Sequence, residues 1–150
     1  LSGYDFPVLE PGMGPLQDSD GAVLPASCPQ SVGPDVERED GEWVCQHRWQ
    51  AVTGMVSWRI TAGETEVTDR VEADGVLAFT RGEAVVLLNG TPEPVEFTYP
   101  TSLEPGEYCD VITGGIDGEA CTGETVVVDG EVTVTVPALG AVAFHTGERL

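Results

Sequence analysis

The pattern of apolar and polar positions changes once along the chain, near residue 63. Before that point, apolar residues recur at steps of three or four, which is the spacing of one helix face. We predict a helix over residues 40–62, with Asp40 as N-cap and Gly63 as its stop. Gly54 costs this helix about 1 kcal/mol relative to alanine, so we expect packing to hold it in place. The predicted buried stripe is wide: it consists of Cys45, Trp49, Val52, Val56 and Ile60, with Val44, Ala51, Met55 and Trp58 beside them.

After residue 63 the apolar period shortens to two, and strand signals follow one another to the C terminus. Residues 84–88 form a continuous apolar run between turn residues, which predicts a strand covered on both faces. Asp129-Gly130 separates two alternating runs and predicts a type I′ hairpin. Seven or eight short strands with regular turn signals predict an antiparallel β-sandwich. The other predicted strands are residues 76–79, 95–99, 107–112, 125–128, 131–136 and 141–145.

Residues 1–40 are rich in proline, glycine and aspartate, and they show no sustained periodicity. We interpret them as irregular loop. Loops of this length are uncommon in small domains, so we expect the segment to lie on another structure.

The net charge of −20, from 26 acidic and six basic residues, limits the partners. Nucleic acid and anionic membrane are excluded as partners, because both would repel the chain. No run of about 18 apolar residues is present, so we expect no membrane span. The chain opens Leu1-Ser2-Gly3-Tyr4 without a signal-peptide pattern, and we expect a mature product or a piece of a longer protein.

The cysteines predict two disulfide bonds. The sequence has no Cys-x-x-Cys pair, and only His47 and His145 could join the cysteines as zinc ligands. A zinc site is therefore disfavoured. Loops of the size that separates neighbouring cysteines contribute about 3 kcal/mol each when closed. Disulfides favour a compartment outside the reducing cytosol. The four residues are Cys28, Cys45, Cys109 and Cys121.

Motifs for catalysis are missing from the sequence. No carboxylate pair is marked for glycoside hydrolysis, and neither a Gly-x-Ser-x-Gly elbow nor a phosphate-binding loop occurs. Asp18-Ser19-Asp20-Gly21 lacks the spacing of a calcium loop and is interpreted as a surface turn. We therefore assign no catalytic, cofactor-binding or metal-binding residue.

Three further features are interpreted structurally. His47 is expected to be a half-buried structural histidine on the helix, and His145 to pack or cap near the end of a strand. Asn89-Gly90-Thr91 matches a glycosylation sequon, but we interpret it as a hairpin turn. The tryptophans, at helical spacing, are expected to pack in a core rather than to form a sugar platform.

Four blocks of the sequence resemble secreted α-amylases of the animal type and of actinobacteria, in glycoside hydrolase family 13. Residues 43–49, Trp-Val-Cys-Gln-His-Arg-Trp, followed by residues 54–59, resemble the Trp-Val-Cys-Glu-His-Arg-Trp helix that ends the family's (β/α)8 barrel. Residues 78–82 resemble its Ala-Phe-Gly-Arg-Gly block, and residues 103–114 its Leu-Pro-Ala-Gly-Thr-Tyr-Cys-Asp-Val-Ile-Ser-Gly block. The ending from Ala143 to Leu150 is also similar.

The resemblance implies a division of the chain. Residues 1–62 would be the terminal piece of the barrel, and residues 63–150 a C-terminal Greek-key β-domain. Disulfides Cys28–Cys45 and Cys109–Cys121 are implied as well. The family's catalytic carboxylates, calcium ligands and chloride-binding arginines would lie upstream of Leu1, so none is assigned to this chain. Gln46 departs from the family's usual glutamate, and the loop before Cys28 is shorter than in animal enzymes.

Our first hypothesis is that the chain is the C-terminal fragment of a secreted α-amylase acting on α-1,4-glucosidic bonds of starch and glycogen. Catalysis would reside in the barrel, which would be the fragment's partner, and the isolated chain would be inactive. The helix should then expose some of Trp43, Trp49, Val52 or Val56. Two alternatives are a carbohydrate-binding module using exposed Tyr99 or Tyr108, and a structural extracellular sandwich.

Overall fold

The computed structural model describes residues 18–23, 25, 28–37 and 44–150. Contacts divide the chain into two compact units, Leu1–Thr53 and Gly54–Leu150. The boundary falls inside the one α-helix of the described chain, α1 (Gln50–Ala62). The domain division at residues 62 and 63 stays a prediction.

Helix α1 begins later than the predicted helix. A 3₁₀ turn, Gln46–Arg48, precedes it and is separated from it by Trp49 in an extended conformation. Cys45 has a left-handed backbone (φ 51°), which interrupts regular helix at that point. The predicted cap Asp40 lies outside the described residues. The predicted stop is confirmed, because Gly63 adopts φ 60° and its N–H bonds to the carbonyls of Arg59 and Ile60.

The second unit is mainly antiparallel β-structure, as predicted. One four-stranded sheet has the order β1-β2-β3-β10, and three two-stranded pairs are β4-β9, β5-β8 and β6-β7. The Greek-key connectivity stays a prediction. The strands are β1 (Val67–Ala73), β2 (Val76–Arg81), β3 (Ala84–Asn89), β4 (Val95–Pro100), β5 (Gly106–Cys109), β6 (Ile116–Asp117), β7 (Ala120–Cys121), β8 (Thr125–Val128), β9 (Glu131–Val136) and β10 (Ala141–His145).

The predicted hairpin at Asp129-Gly130 is wrong. Strand β8 pairs with β5 and strand β9 pairs with β4, so the turn joins two different pairs of strands. Only Gly130 of the two turn residues has a positive φ, 74°, whereas a type I′ turn needs two. Strands β8 and β9 both bury alternate valines in the main core. The strands with which they pair follow from this burial and not from the turn between them.

The main core lies against one face of the four-stranded sheet. Alternate residues of β2, β3 and β10 meet the inner residues of β4, β5, β8 and β9. The predicted strand at residues 84–88 is covered on both faces except at its end, where Leu88 is 40% exposed. The buried members are Val76, Ala78, Val85, Leu87, Phe97, Tyr99, Leu103, Tyr108, Val126, Val128, Val132, Val136, Val142 and Phe144.

A second apolar cluster covers the opposite face of the sheet. Trp58 and Ala62 of α1 pack there with Val86 and Val111. The indole N–H of Trp58 donates to the Val85 carbonyl at 2.8 Å. At Gly54 an added Cβ would lie 1.9 Å from the carbonyl oxygen of Val111. Close packing therefore holds α1, as its central glycine predicts.

The buried face of α1 differs from the predicted stripe. Gly54, Trp58 and Ala62 are buried, whereas Val56 is 41% and Ile60 is 74% exposed. Trp49 and Val52 are half-buried, and Trp43 lies outside the described residues. Helix α1 is apolar on more than one side, and periodicity alone does not say which side meets the sheet.

Candidate functional site

All four predicted cysteines form disulfide bonds. Cys28 is bonded to Cys45, and Cys109 to Cys121, which are the pairs that the resemblance implies. The second bond closes a loop that holds the β6-β7 pair. An added Cβ at Gly114, inside this loop, would lie 2.3 Å from the backbone nitrogen of Gly123, two residues beyond Cys121. The chain segments around Gly114 and Gly123 therefore touch.

Asp110 connects this loop to the sheet. Its Oδ1 accepts from the backbone N–H groups of Ala143 (2.9 Å) and Ile112 (3.1 Å), and its Oδ2 from the Thr113 hydroxyl (3.0 Å). Burial raises the pKa of the Asp110 carboxyl, and these hydrogen bonds oppose the rise. Sequence reasoning missed this residue, because its distant partner, Ala143, lies on β10 and no local pattern identifies that contact.

The carbohydrate-binding alternative requires exposed tyrosines, and the structure does not provide them. Tyr99 and Tyr108 are both fully buried. The Tyr99 hydroxyl bonds to Thr80 (2.8 Å) and donates to the Asp69 carbonyl (3.1 Å). Burial raises the pKa of both phenols. Neither ring is available to stack on a sugar.

The Tyr108 hydroxyl donates to the Glu104 carbonyl at 2.7 Å, and the Arg149 guanidinium lies 6.0 Å from the ring centre. The backbone N–H of Leu150 also donates to the Glu107 carbonyl at 2.9 Å. These contacts fix the last residues of the chain against strand β5.

His145 caps the 3₁₀ turn Thr146–Glu148. Its Nδ1 accepts from the backbone N–H of Gly147 at 3.1 Å and lies 3.2 Å from the Thr61 hydroxyl. The proton of the neutral ring is therefore on Nε2. Burial lowers the pKa of His145, and the nearby Glu148 opposes the change. His145 thus has the structural role that was expected.

The Asn89 side chain has a structural role. The side chain is buried, and its Nδ2 donates to the carbonyls of Glu93, Val136 and Pro137. Its Oδ1 accepts from the backbone N–H and the hydroxyl of Thr91, each at 2.8 Å. In the folded protein both polar atoms of this amide are engaged. The hairpin interpretation is wrong, because β3 pairs with β2 and β10 whereas β4 pairs with β9.

Asp18 organises the predicted surface turn. Its Oδ1 accepts from the backbone N–H groups of Asp20 and Ala22, each at 2.9 Å. Among the residues that the structure describes, no group of three or more potential ligands could hold a metal ion. No helix in the same residues is long and apolar enough to cross a membrane.

An open groove of about 540 Å³ runs between β8 and β9, where the two strands separate. Its lining includes three valines, Val126, Val134 and Val142, and four threonines, Thr113, Thr125, Thr133 and Thr135. Two carboxylates, Asp110 and Glu124, reach it. The Asp110 carboxylate is held there by three donors from its own unit.

Residues 68–147 match the model of the α-amylase C-terminal all-β domain. An α-amylase-related protein of Drosophila willistoni is 34% identical over 90% of this chain and 30% of its own length. An α-amylase of Thermomonospora curvata is 38% identical over 88% of this chain and 20% of its own. The crystal structure of α-amylase I from Eisenia fetida matches with a TM-score of 0.68 and 32% identity, covering 89% of this chain and 27% of that one.

The antiparallel sheets and their buried core define a mainly β domain. His47 is exposed, whereas a half-buried position was expected. The chain belongs to the α-amylase family, through the C-terminal all-β domain of that family. It spans about 30% of the length of the first two curated relatives it matches.

Proposed function

We propose that this chain is the C-terminal portion of a longer, secreted α-amylase that cleaves α-1,4-glucosidic bonds of starch and glycogen with retention of configuration. The catalytic (β/α)8 barrel is its partner within the same polypeptide. The described portion is not catalytic and stabilises the barrel. The calcium and chloride that the resemblance implies belong to the barrel in this proposal.

The exposed side of α1 carries the proposal. Val56 and Ile60 lie one helical turn apart and expose 41% and 74% of their surface, while the opposite side of the helix is buried. A helix that is apolar on both sides is typical of a helix buried between two layers. The second layer that we propose is the barrel.

Secretion is supported by the two disulfide bonds, because such bonds persist in oxidising compartments. The acidic composition is compatible with an extracellular or salty environment, where ions screen the repulsion between carboxylates.

The activity is tested with two purified proteins, the 150-residue chain and the same chain together with the polypeptide encoded upstream of it. We expect release of reducing ends from starch only by the longer protein. Hydrolysis by the 150-residue chain would contradict the non-catalytic role. An upstream polypeptide without starch-degrading activity would contradict the assignment to an α-amylase.

The interface is tested by comparing two exposed valines in the longer protein. Val56→Asp would place a charge against the barrel, so we expect its melting temperature to fall by several degrees. Val127→Asp is the matched control, because Val127 is 62% exposed on β8 and away from α1. Equal effects of the two substitutions would contradict the proposed interface.

A further inference from the structure

The two disulfide bonds are matched in burial and differ in the charges around them. Each pairs a buried cysteine, Cys45 (1% exposed) or Cys109 (fully buried), with a half-buried one, Cys28 or Cys121. Steric access to an external thiol is therefore similar. The charges nearby distinguish the two bonds.

The Cys28–Cys45 bond lies among the protein's scarce basic groups. His47 Nε2 lies 3.9 Å from the Cys28 sulfur. The Arg48 guanidinium donates to the carbonyl of Pro29, the residue after Cys28, at 3.0 Å. The protein has six arginines, no lysine and two histidines against 26 acidic residues. One of these eight basic side chains contacts the Cys28 sulfur, and a second is bonded to the residue that follows Cys28.

The Cys109–Cys121 bond has acidic neighbours. Asp110 follows Cys109 directly, and its backbone N–H bonds to the carbonyl of Glu124. Glu119 and Glu124 flank Cys121 in the sequence, and no basic residue lies between Glu104 and Asp129. Around Cys45 the sequence has one acidic residue, Glu42, within three positions, beside the basic His47 and Arg48. An anionic thiol that approaches the Cys109–Cys121 bond is repelled.

We propose that Cys28 is a thiolation site, at which the Cys28–Cys45 bond exchanges with small anionic thiols of the glutathione class. This inference goes beyond the proposed function and does not depend on it. The thiolate of the reductant attacks the accessible Cys28 sulfur, and the sulfur–sulfur bond to Cys45 breaks. Cys45 leaves as a thiolate, and Cys28 carries the mixed disulfide.

A second reductant thiolate completes the exchange. It attacks the sulfur of the bound reductant, forms the oxidised disulfide of that thiol, and releases Cys28 as a thiolate. The reductant loses two electrons, and the protein disulfide gains them. The ring N–H of His47 can donate to the departing Cys28 thiolate, and the Arg48 guanidinium adds positive charge beside it.

The first test compares the two bonds in the unmodified chain. The oxidised protein is treated with glutathione, alkylated at intervals, and mapped by peptide mass spectrometry. We expect Cys28–Cys45 to open about tenfold faster, with glutathione attached to Cys28, because the Arg48 charge attracts the anionic thiol and the His47 ring can donate a hydrogen bond to the departing thiolate. Neutral 2-mercaptoethanol should reduce the ratio, and cationic cysteamine should bring it close to one or below.

The second test compares two exposed arginines that each donate to a backbone carbonyl. Arg48→Gln should slow glutathione attack at Cys28 by about threefold to fivefold. Arg59→Gln is the matched control, because Arg59 bonds to Gly63 and lies on α1. His47→Ala should slow the release of Cys28 and so increase the glutathione adduct at that residue.

Several results would overturn the proposal. One is an equal opening rate of the two bonds with glutathione. Others are a ratio that does not depend on the charge of the thiol, or an adduct on Cys45. An equal effect of the Arg48 and Arg59 substitutions would remove the electrostatic explanation.

Discussion

At Gly54 the absence of a side chain allows α1 to touch the backbone at Val111. An added Cβ would overlap the Val111 carbonyl oxygen, at 1.9 Å. We expect Gly54→Ala to lower the free energy of unfolding by about 2 kcal/mol, since displacement of a packed helix outweighs the gain of about 1 kcal/mol in helix propensity. Urea unfolding measures the effect.

Thr53→Ala is the control for this substitution, because Thr53 is exposed on the same helix and gains propensity without a clash. A Gly54→Ala variant as stable as the Thr53→Ala variant would contradict the close contact.

His145 should make the protein less stable in acid. Burial holds its pKa below that of an unfolded histidine, so the unfolded chain binds more protons below about pH 6.5. Its contribution to stability is complete above that pH and is lost as the pH falls. The charged group that opposes this shift is Glu148, and Glu83 lies nearby as the partner of the Thr146 hydroxyl.

Urea unfolding between pH 7.5 and pH 5 measures this dependence. The variant His145→Gln cannot titrate, so its stability should fall less over this range than that of the unmodified protein. Comparing the two slopes removes the contribution of the carboxylates. Identical slopes would contradict the assignment to His145.

Among the elements, the turn between β8 and β9 can be tested residue by residue. Gly130 has φ 74°, and Asp129 is not in the left-handed region. We expect Gly130→Ala to cost about 1 kcal/mol, because a side chain strains that conformation, while Asp129→Ala has little effect. Chemical unfolding of both variants checks this. A similar loss from both would favour the type I′ turn that the sequence predicts.

The same turn shows why some elements could be predicted and others could not. Residues 131–136 alternate clearly, and they form β9 as expected. Their partner is β4, and nothing local in either strand identifies it. Strands β6 and β7 have two residues each, which is too short for any period. The sequence places the start of the helix too early, because the pattern of apolar residues does not reveal the left-handed backbone at Cys45.

For the whole molecule, the charge of −20 should make stability depend on salt. Like charges repel more strongly in the compact state than in the expanded chain, and salt screens this repulsion over about 10 Å at 0.1 M. We expect the melting temperature to rise with sodium chloride from low ionic strength to about 0.5 M and then to level off. A melting temperature that stays constant would show that the carboxylates are already too far apart to interact.

The sequence by itself determined the β-rich class, the Gly63 helix stop, the need for close packing at Gly54 and the cysteines that form disulfides. These depend on local backbone preferences, on the period of apolar residues and on residue type. The tertiary structure decided which side of α1 is buried, which strands pair with β8 and β9, and that Tyr99 and Tyr108 face inward. It also placed Asp110 against Ala143 and His47 beside Cys28. Such contacts join residues distant in sequence, and their free energy depends on neighbours that no local pattern identifies.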